Sequence, residues 1–284
     1  MSDSWNLKPF QMEVLKVFRA FESICVRHNL KYYAFGGTAL GAVRHHGFIP
    51  WDDDFDVAMP REDFCEFLKF VGAELPGHLV FRRGGDSCYS PIYFSKIINV
   101  EDGVIERICK ETGLEFDFPP FIDIFVLDGV PEDVRDFGKW WRSRRLLRFV
   151  QLYRFPETGV CTFASRCNLK YLLARMVGAL LSPFYPRTRT NVDMMSLVDQ
   201  VALKWPFATS PLVAEVAFFR FMARRLFSKA IFEPAREISF EDGTIRVPAQ
   251  VEDMLTGYFG DYMTPPPEEH RVPEHLLKRA YNHV

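Results

Sequence analysis

The sequence lacks the paired cysteines of zinc ribbons and disulfide-stabilised domains. Its 284 residues include six cysteines, and no two of them stand in a Cys-x-x-Cys arrangement. Zinc ribbons depend on such pairs, and disulfide frameworks are found mostly in small secreted domains. We therefore predict reduced thiols, no zinc site and a cytoplasmic protein.

An excess of one charge and long apolar runs are also missing. The chain has 35 Lys and Arg residues against 37 Asp and Glu residues, a formal net charge of −2, so no nucleic-acid partner is expected. No apolar run approaches the roughly 18 residues of a membrane span. The first residues, MSDSWNLKPF, do not show the basic-then-apolar order of a signal peptide, which also predicts a protein that stays inside the cell.

The sequence does contain enough apolar residues for a substantial core. Hydrophobic residues make up 48% and aromatic residues 15% of the chain, which suits one large domain or two closely associated lobes. In residues 1–130, apolar residues at helical spacing from Phe10 to Cys25 are followed by strand-like segments, FDVAM (55–59) and FIDIFVLD (121–128). This part is predicted to be the catalytic core.

Residues 131–284 are predicted to be a largely helical region that packs on the core. They also contain a predicted hairpin around Asp242-Gly243 and a proline-rich tail. The predicted fold class is therefore α+β, with a mixed sheet flanked by helices.

Four aspartates lie within five positions of PWDDDFDV (50–57). In an extended segment, Asp54 and Asp56 point to the same face, with Cα atoms about 6.7 Å apart at a rise of about 3.3–3.4 Å per residue. Two carboxylates about 4 Å apart repel by roughly 1 kcal/mol in water and about 4 kcal/mol at an effective dielectric constant of 20. A hard cation relieves this repulsion, and Mg²⁺ takes oxygen ligands at about 2.0–2.1 Å.

A further carboxylate, Asp123, lies within the apolar strand FIDIFVLD. Burying it costs free energy unless it is paired or binds a metal. We predict that Asp54, Asp56 and Asp123 converge from two strands as metal ligands and catalytic residues for Mg²⁺, with Mn²⁺ as an alternative. A structural ion pair is the alternative for Asp123.

The aspartates have two other interpretations. An EF-hand calcium loop requires Gly at the position of Val57, and Pro60 interrupts such a loop. The second alternative is an acidic loop that binds no metal. Asp52 and Asp53 are expected to be solvated or to support the ligands rather than to bind the ion directly.

The segment FGGTALGAVRHHG (35–47) precedes the aspartates. Gly36 and Gly37 let the backbone approach a ligand between a strand and a helix N-terminus, whose free N–H groups attract phosphate. Thr38 is predicted to cap that helix and to belong, with the glycines, to the nucleotide-binding site. Arg44 is predicted to bind a phosphate oxygen, and an ion pair with the acidic cluster is its alternative.

Together these motifs resemble the signature of the LicD family, which includes fukutin and fukutin-related protein. The resemblance lies in YYAFGGTALGAVRHHGFIPWDDDFDVAMPRED (32–63). FIDIFVLDG (121–129) is similar to the second acidic strand of the family, and IRVPAQVEDMLTGYFGDYMTPPP (245–267) is similar to its C-terminal block. The cysteine-rich zinc site of the fukutin-related branch is missing, so the chain resembles the bacterial type.

The resemblance implies a nucleotidyltransferase-type core and a definite reaction. A phosphorylated alcohol, such as phosphocholine or ribitol phosphate, moves from a CDP-activated donor to a hydroxyl of a glycan or lipid-linked glycan. By the same resemblance Asp54 and Asp56 bind the metal, Asp123 is the third carboxylate, and Gly36-Gly37 lie beside the phosphates. Lys96 falls in the basic segment of the family and is expected to contact the donor, with a surface charge as the alternative.

Other functions remain open at this stage. A nucleotidyltransferase that moves NMP from an NTP to a small-molecule hydroxyl would use the same carboxylates, and a scaffold would bind metal and nucleotide without turnover. In the leading hypothesis CMP leaves and Asp123 accepts the proton of the attacking hydroxyl. The basic aromatic segments 139–155 and 170–187 are expected either to lie on the inner membrane surface or to pack on the core.

Overall fold

The computed structural model describes most of the predicted core and the C-terminal third of the chain. The described residues are 5–84, 94–133, 191–215 and 226–273, with the single positions 135, 136, 138, 139, 176, 180 and 275. The basic aromatic segments 139–155 and 170–187 lie almost entirely outside them, as does much of the region predicted to be helical. Among the described residues, no helix is long and apolar enough to cross a bilayer.

The helices follow the apolar spacing of the sequence. The first helix buries Phe10, Phe18 and Phe21 on one face and has a proline in its first turn, where a missing N–H costs nothing. The described helices are α1 (Lys8–Arg27), α2 (Gly36–His45), α3 (Arg61–Glu74), α4 (Val104–Thr112), α5 (Asn191–Ala202) and α6 (Val251–Phe259). Short 3₁₀ turns span Lys229–Ile231 and Glu268–His270.

Seven of the described strands form one mixed sheet. The strands are β1 (Tyr33–Ala34), β2 (Asp56–Pro60), β3 (Leu79–Arg82), β4 (Ser95–Asn99), β5 (Phe121–Val130), β6 (Leu212–Glu215), β7 (Leu226–Ser228), β8 (Arg236–Phe240) and β9 (Gly243–Val247). The order is β1-β2-β5-β4-β3, with β6 paired to β5 and β7 to β6. Only the β2–β5 pair of this sheet is parallel. The predicted α+β class is confirmed.

β5 is the central strand, and all ten of its residues are buried. One edge pairs with β2, whereas β4 and β6 share the other edge, each pairing with one half of the strand. β6 and β7 come from a part of the chain predicted to be helical, and that prediction is wrong for them. Short apolar runs such as LVAE do not distinguish a strand from a helix by periodicity.

The C-terminal hairpin packs on the core. β8 and β9 pair with each other as predicted, joined through a turn at Glu241 and Asp242. Phe240 packs edge-to-face against Phe48 at 5.2 Å and Phe55 at 5.6 Å between ring centroids. The hairpin thereby buries aromatic surface next to the segment that carries the aspartates.

Candidate active site

The glycine pair begins helix α2 directly after strand β1. Gly36 is the first helical residue, with a φ of +52°, a conformation that glycine adopts without steric cost. The prediction that Thr38 caps this helix is wrong, because the helix begins two residues earlier. Thr38 lies inside the first turn instead, and its Oγ1 accepts a 2.7 Å hydrogen bond from the backbone N–H of Asp56.

The N-terminus of α2 lies against the acidic side chains. A Cβ atom on Gly36 would lie 2.5 Å from Oδ2 of Asp56, and one on Gly37 would lie 2.7 Å from Oδ2 of Asp52. The first turn of α2 contains no acidic residue of its own, so the nearby cluster supplies the negative charge that the positive end of the helix dipole favours. At both positions a side chain would therefore displace a carboxylate of the cluster.

We expect Gly36→Ala to lower the predicted phosphotransfer activity at least tenfold, because Asp56 is a predicted catalytic residue and displacing a catalytic group by about 1 Å costs on the order of a hundredfold in rate. The new methyl group displaces the Asp56 carboxylate, and alanine at positive φ adds about 1–2 kcal/mol of strain. The matched control is Gly72→Ala in α3, where a Cβ meets nothing within 4 Å. Urea unfolding and initial rates measure both effects. Wild-type activity in Gly36→Ala would contradict the close approach.

Three site residues lie side by side across adjacent strands. Asp56 on β2 is the register partner of Asp123 on β5, and Asp123 is the register partner of Lys96 on β4. Register partners on neighbouring strands point to the same face of a sheet. The fold therefore brings together two of the three predicted carboxylates and the predicted lysine.

Lys96 contacts Asp123 directly. Its ammonium group donates a hydrogen bond to Oδ1 of Asp123 and lies 3.7 Å from the centroid of the Phe121 ring. Burial raises the pKa of Asp123, and the charge of Lys96 and its hydrogen bond act in the opposite direction. The predicted contact of Lys96 with a donor stays a prediction, and the structure adds that the lysine compensates a buried carboxylate.

Asp54 lies in the loop just before β2. Burial is the main cause that raises its pKa to about 6; nearby Asp123 acts in the same direction, whereas His275 and Lys96 oppose it. Asp52 lies within hydrogen-bonding contact of Asp54, and burial, followed by the charges of Asp54 and Asp56, raises the pKa of Asp52. Asp52 is half-buried beside Asp54, which fits the supporting position predicted for it better than the solvated one.

The donor atoms of this cluster are the kind that a hard cation prefers. Asp54, Asp56 and Asp123 offer carboxylate oxygens, and burial raises the pKa of Asp52, Asp54 and Asp123, which a bound cation would counteract. Among the described residues, however, no group of three His, Cys, Asp or Glu side chains has the arrangement of a metal site. Lys96 occupies one oxygen of Asp123. The metal site stays a prediction.

Arg44, near the end of α2, is held at the rim of the cluster. It donates to the backbone oxygen of Tyr262 at 2.7 Å and, through Nε, to the His45 ring at 3.0 Å. Burial lowers the pKa of Arg44, the charge of Arg271 acts in the same direction, and Asp52 opposes both. A second guanidinium group therefore lies close to the predicted phosphate-binding arginine.

Two residues of the C-terminal segment, Arg271 and His275, were not predicted to belong to the site. The guanidinium carbon of Arg271 lies 5.5 Å from the Trp51 ring centroid. The His275 ring lies 3.1 Å from Asp53 Oδ1. Burial lowers the pKa of His275, but the hydrogen bond with Asp53 and the charge of Asp54 outweigh it and leave the pKa raised.

No local pattern in the sequence signals these two residues. Asp53 and His275 are 222 positions apart, and a single histidine in a polar tail resembles an ordinary surface residue. Only the return of the tail to the cluster reveals them.

The part of the chain that contains most of the predicted site residues is similar to a known protein family. A family model described as "LicD/FKTN/FKRP, nucleotidyltransferase domain" matches residues 29–96. This range contains Gly36, Gly37, Thr38, Arg44, Asp54, Asp56 and Lys96.

Individual proteins are similar over different lengths. The lipopolysaccharide cholinephosphotransferase LicD of Haemophilus influenzae is 27% identical over 284 residues, which covers 97% of this chain and 98% of that protein. The ribitol 5-phosphate transferase FKRP of Homo sapiens is 45% identical over 58 residues, 20% of this chain and 11% of that protein. An uncharacterised protein of Rickettsia typhi, RT0683, is 30% identical over 91 residues, 30% of this chain and 29% of that protein.

Proposed function

We propose that this chain is a phosphotransferase of the LicD family, and that it moves a phosphorylated alcohol of the phosphocholine type from a CDP-activated donor. The acceptor in this proposal is a hydroxyl group of a cell-surface glycan or its precursor. The similarity to the Haemophilus cholinephosphotransferase supports it, because that similarity spans nearly the whole of both chains. We also propose that β1, α2, β2 and β5 form a nucleotidyltransferase-type core.

The observation that supports the proposal is that a helix N-terminus, several carboxylates and a lysine lie close together. The uncapped N-terminus of α2 and the carboxylates of β2 and β5 lie together, with Lys96 beside them. A diphosphate requires both N–H or cationic donors for its oxygens and a means of neutralising the remaining charge. A purely structural acidic cluster would not need two glycines packed against its carboxylates.

Asp54, Asp56 and Asp123 would hold Mg²⁺ in this proposal, with Mn²⁺ as the alternative. A bound divalent ion supplies charge neutralisation for the donor diphosphate. The chain itself supplies the remaining groups: the N–H groups at Gly36 and Gly37 bind phosphate oxygens, Thr38 holds the start of β2 in place, and Arg44 and Lys96 bring positive charge.

The reaction exchanges one P–O bond for another and transfers one proton. The oxygen of the acceptor hydroxyl attacks the phosphorus that carries the alcohol, and the bond from that phosphorus to the bridging oxygen of CMP breaks. CMP leaves with the bridging oxygen, and a carboxylate of the cluster, with Asp123 as the first candidate, accepts the hydroxyl proton. We place this reaction in the cytoplasm, near the inner face of the membrane where a lipid-linked acceptor would be presented.

The purified protein is expected to release CMP from CDP-choline when Mg²⁺ and a glycan acceptor are present, and EDTA is expected to stop the release. Parallel reactions with CTP and ATP provide the comparison, with CMP and pyrophosphate followed by chromatography and a coupled assay. Pyrophosphate from an NTP, with no CMP from any CDP-alcohol, would instead support the nucleotidyltransferase alternative. Binding of Mg²⁺ and nucleotide with neither product would support the scaffold alternative.

A further inference from the structure

The C-terminal segment, described at residues 262–273 and 275, returns to the acidic cluster and is held there at several points. The backbone oxygen of Tyr262 accepts a hydrogen bond from Arg44, and that of Arg271 accepts one from the Trp5 indole at 3.1 Å. The side chain of Arg271 lies over Trp51, next to the aspartates. These contacts, from residues far apart in sequence, fix the path of the segment over the site.

His275 lies at the end of this path and contacts Asp53 through both its backbone and its ring. Its backbone N–H donates to both carboxylate oxygens of Asp53, at 3.0 and 3.2 Å, and its ring Nδ1 lies 3.1 Å from Oδ1. Asp53 is only 1% exposed, and a buried carboxylate is costly unless it is hydrogen-bonded. His275 thus hydrogen-bonds to a buried carboxylate in the loop that precedes β2 and also contains Asp54.

The ring of His275 is itself held in place by aromatic residues. It lies 5.4 Å from the Phe121 centroid in an edge-to-face arrangement and 6.0 Å from the Phe118 centroid. The ammonium group of Lys96 also packs against the ring of Phe121 in a cation–π contact. The histidine and the lysine therefore contact one side chain at the start of β5.

The contact with Asp53 constrains its neighbour, Asp54. The two residues are adjacent in a loop without regular structure, so a fixed Asp53 limits the directions that the Asp54 carboxylate can take. The ring Nδ1 lies 3.9 Å from Oδ2 of Asp54, which is beyond a direct hydrogen bond. His275 therefore acts on Asp54 in two ways, by its charge across this ion-pair distance and by its hydrogen bonds to Asp53.

We propose that His275 is a positioning residue of the phosphotransferase site, which holds Asp53 and thereby orients Asp54 toward the cluster. This inference rests on the proposed function for its catalytic consequence. It assigns the C-terminal segment a role in the geometry of the site, beyond covering it.

The test compares His275→Ala with His275→Asn, whose amide nitrogen replaces ring Nδ1 as a donor to Asp53. We expect His275→Ala to lower kcat and the affinity for Mn²⁺ alone, measured by calorimetry, by about 10- to 100-fold each, as for other residues that orient metal ligands. His275→Asn should recover both values to within a few-fold. The KM for CDP-choline should change little in either variant.

The matched control is His270→Ala, an exposed histidine of the same segment, which should leave kcat and Mn²⁺ affinity at wild-type values. Wild-type kcat and Mn²⁺ affinity in a folded His275→Ala would overturn the proposal. If His275→Ala is unfolded at the assay temperature, His275→Asn decides: near wild-type values support the role, and loss of both in a folded variant overturns it. If the wild type releases no CMP from CDP-choline, the proposed function fails, while the Mn²⁺ titration still tests His275.

Discussion

Asn in place of Asp56 is expected to lower phosphotransfer about a thousandfold or more, which corresponds to roughly 4 kcal/mol of transition-state stabilisation. Asp56 is the register partner of Asp123 and lies against Gly36 at the start of α2. Asparagine keeps the size of the side chain and leaves intact the backbone N–H that donates to Thr38. It removes the negative charge that the proposed metal site requires.

The same substitution is not expected to destabilise the metal-free protein. The charge of Asp56 is one of the causes that raise the pKa of Asp52, so the carboxylates of the cluster repel one another. Removing one charge lowers this repulsion, and the Tm without divalent ions should equal or exceed that of the wild type. Added Mg²⁺ should then raise the Tm of the wild type more than that of the variant. An ion that binds the folded protein stabilises it, and the variant has lost one proposed ligand.

Asp102→Asn, at an exposed position before α4, is the control and should retain wild-type turnover. CMP release from CDP-choline measures activity, and thermal unfolding with and without Mg²⁺ measures stability. Turnover of Asp56→Asn within tenfold of the wild type would remove Asp56 from the catalytic residues.

Ala in place of Arg61 is expected to lower the free energy of unfolding by about 3–5 kcal/mol, the typical effect of removing one partner from a buried ion pair. Arg61 donates to Asp128 through Nε at 2.7 Å and Nη2 at 3.0 Å, and to Asp199 through Nη1 at 2.6 Å. Asp199 also accepts from Arg83. The network joins α3, β5 and α5, and Asp128 is completely buried.

The expected loss is large because the carboxylates that remain are shielded from water. Burial lowers the pKa of Arg61, but Asp128 and Asp199 more than compensate and raise it. Arg61→Lys keeps the charge and loses the bidentate hydrogen bond to Asp128. Its free energy of unfolding should therefore lie between those of the wild type and Arg61→Ala.

Lys69→Ala provides the control for this prediction. It removes an exposed ion pair with Glu66 on the same helix, and such pairs contribute about 0.3–0.5 kcal/mol. Urea unfolding at neutral pH measures all three variants from the midpoint and the slope m. A loss below about 1 kcal/mol in Arg61→Ala, close to the usual range of surface substitutions, would show that α3 and β5 do not depend on the network.

The elements with strong local patterns were predicted correctly. Helix α1 and strands β2 and β5 were predicted because their apolar spacing or β-branched and aromatic content is visible within a few residues. Strands β6 and β7 were not predicted, because four and three residues respectively carry no usable periodicity. They become strands by pairing with the second half of β5 and with each other.

Strand β5 contains two buried aspartates with different surroundings. Asp123 and Asp128 are both buried in it, and an odd separation of five positions places them on opposite faces of the sheet. Asp128 pairs with Arg61 in a structural network, whereas Asp123 lies beside Asp56 and Lys96. Strand alternation predicts the opposite faces, but only the packing of α3 and the pairing of β4 decide what each carboxylate meets.

The sequence by itself determined which groups are available and how neighbours are spaced. It placed Asp54 and Asp56 two residues apart, and Gly36-Gly37 where a strand gives way to a helix, because dihedral preferences and side-chain alternation act over a few residues. The tertiary structure decided that Lys96 pairs with Asp123, that Asp52 joins the cluster, and that His275 reaches Asp53. Those contacts depend on sheet register and on the path of the C-terminal segment, which are set by packing between distant parts of the chain.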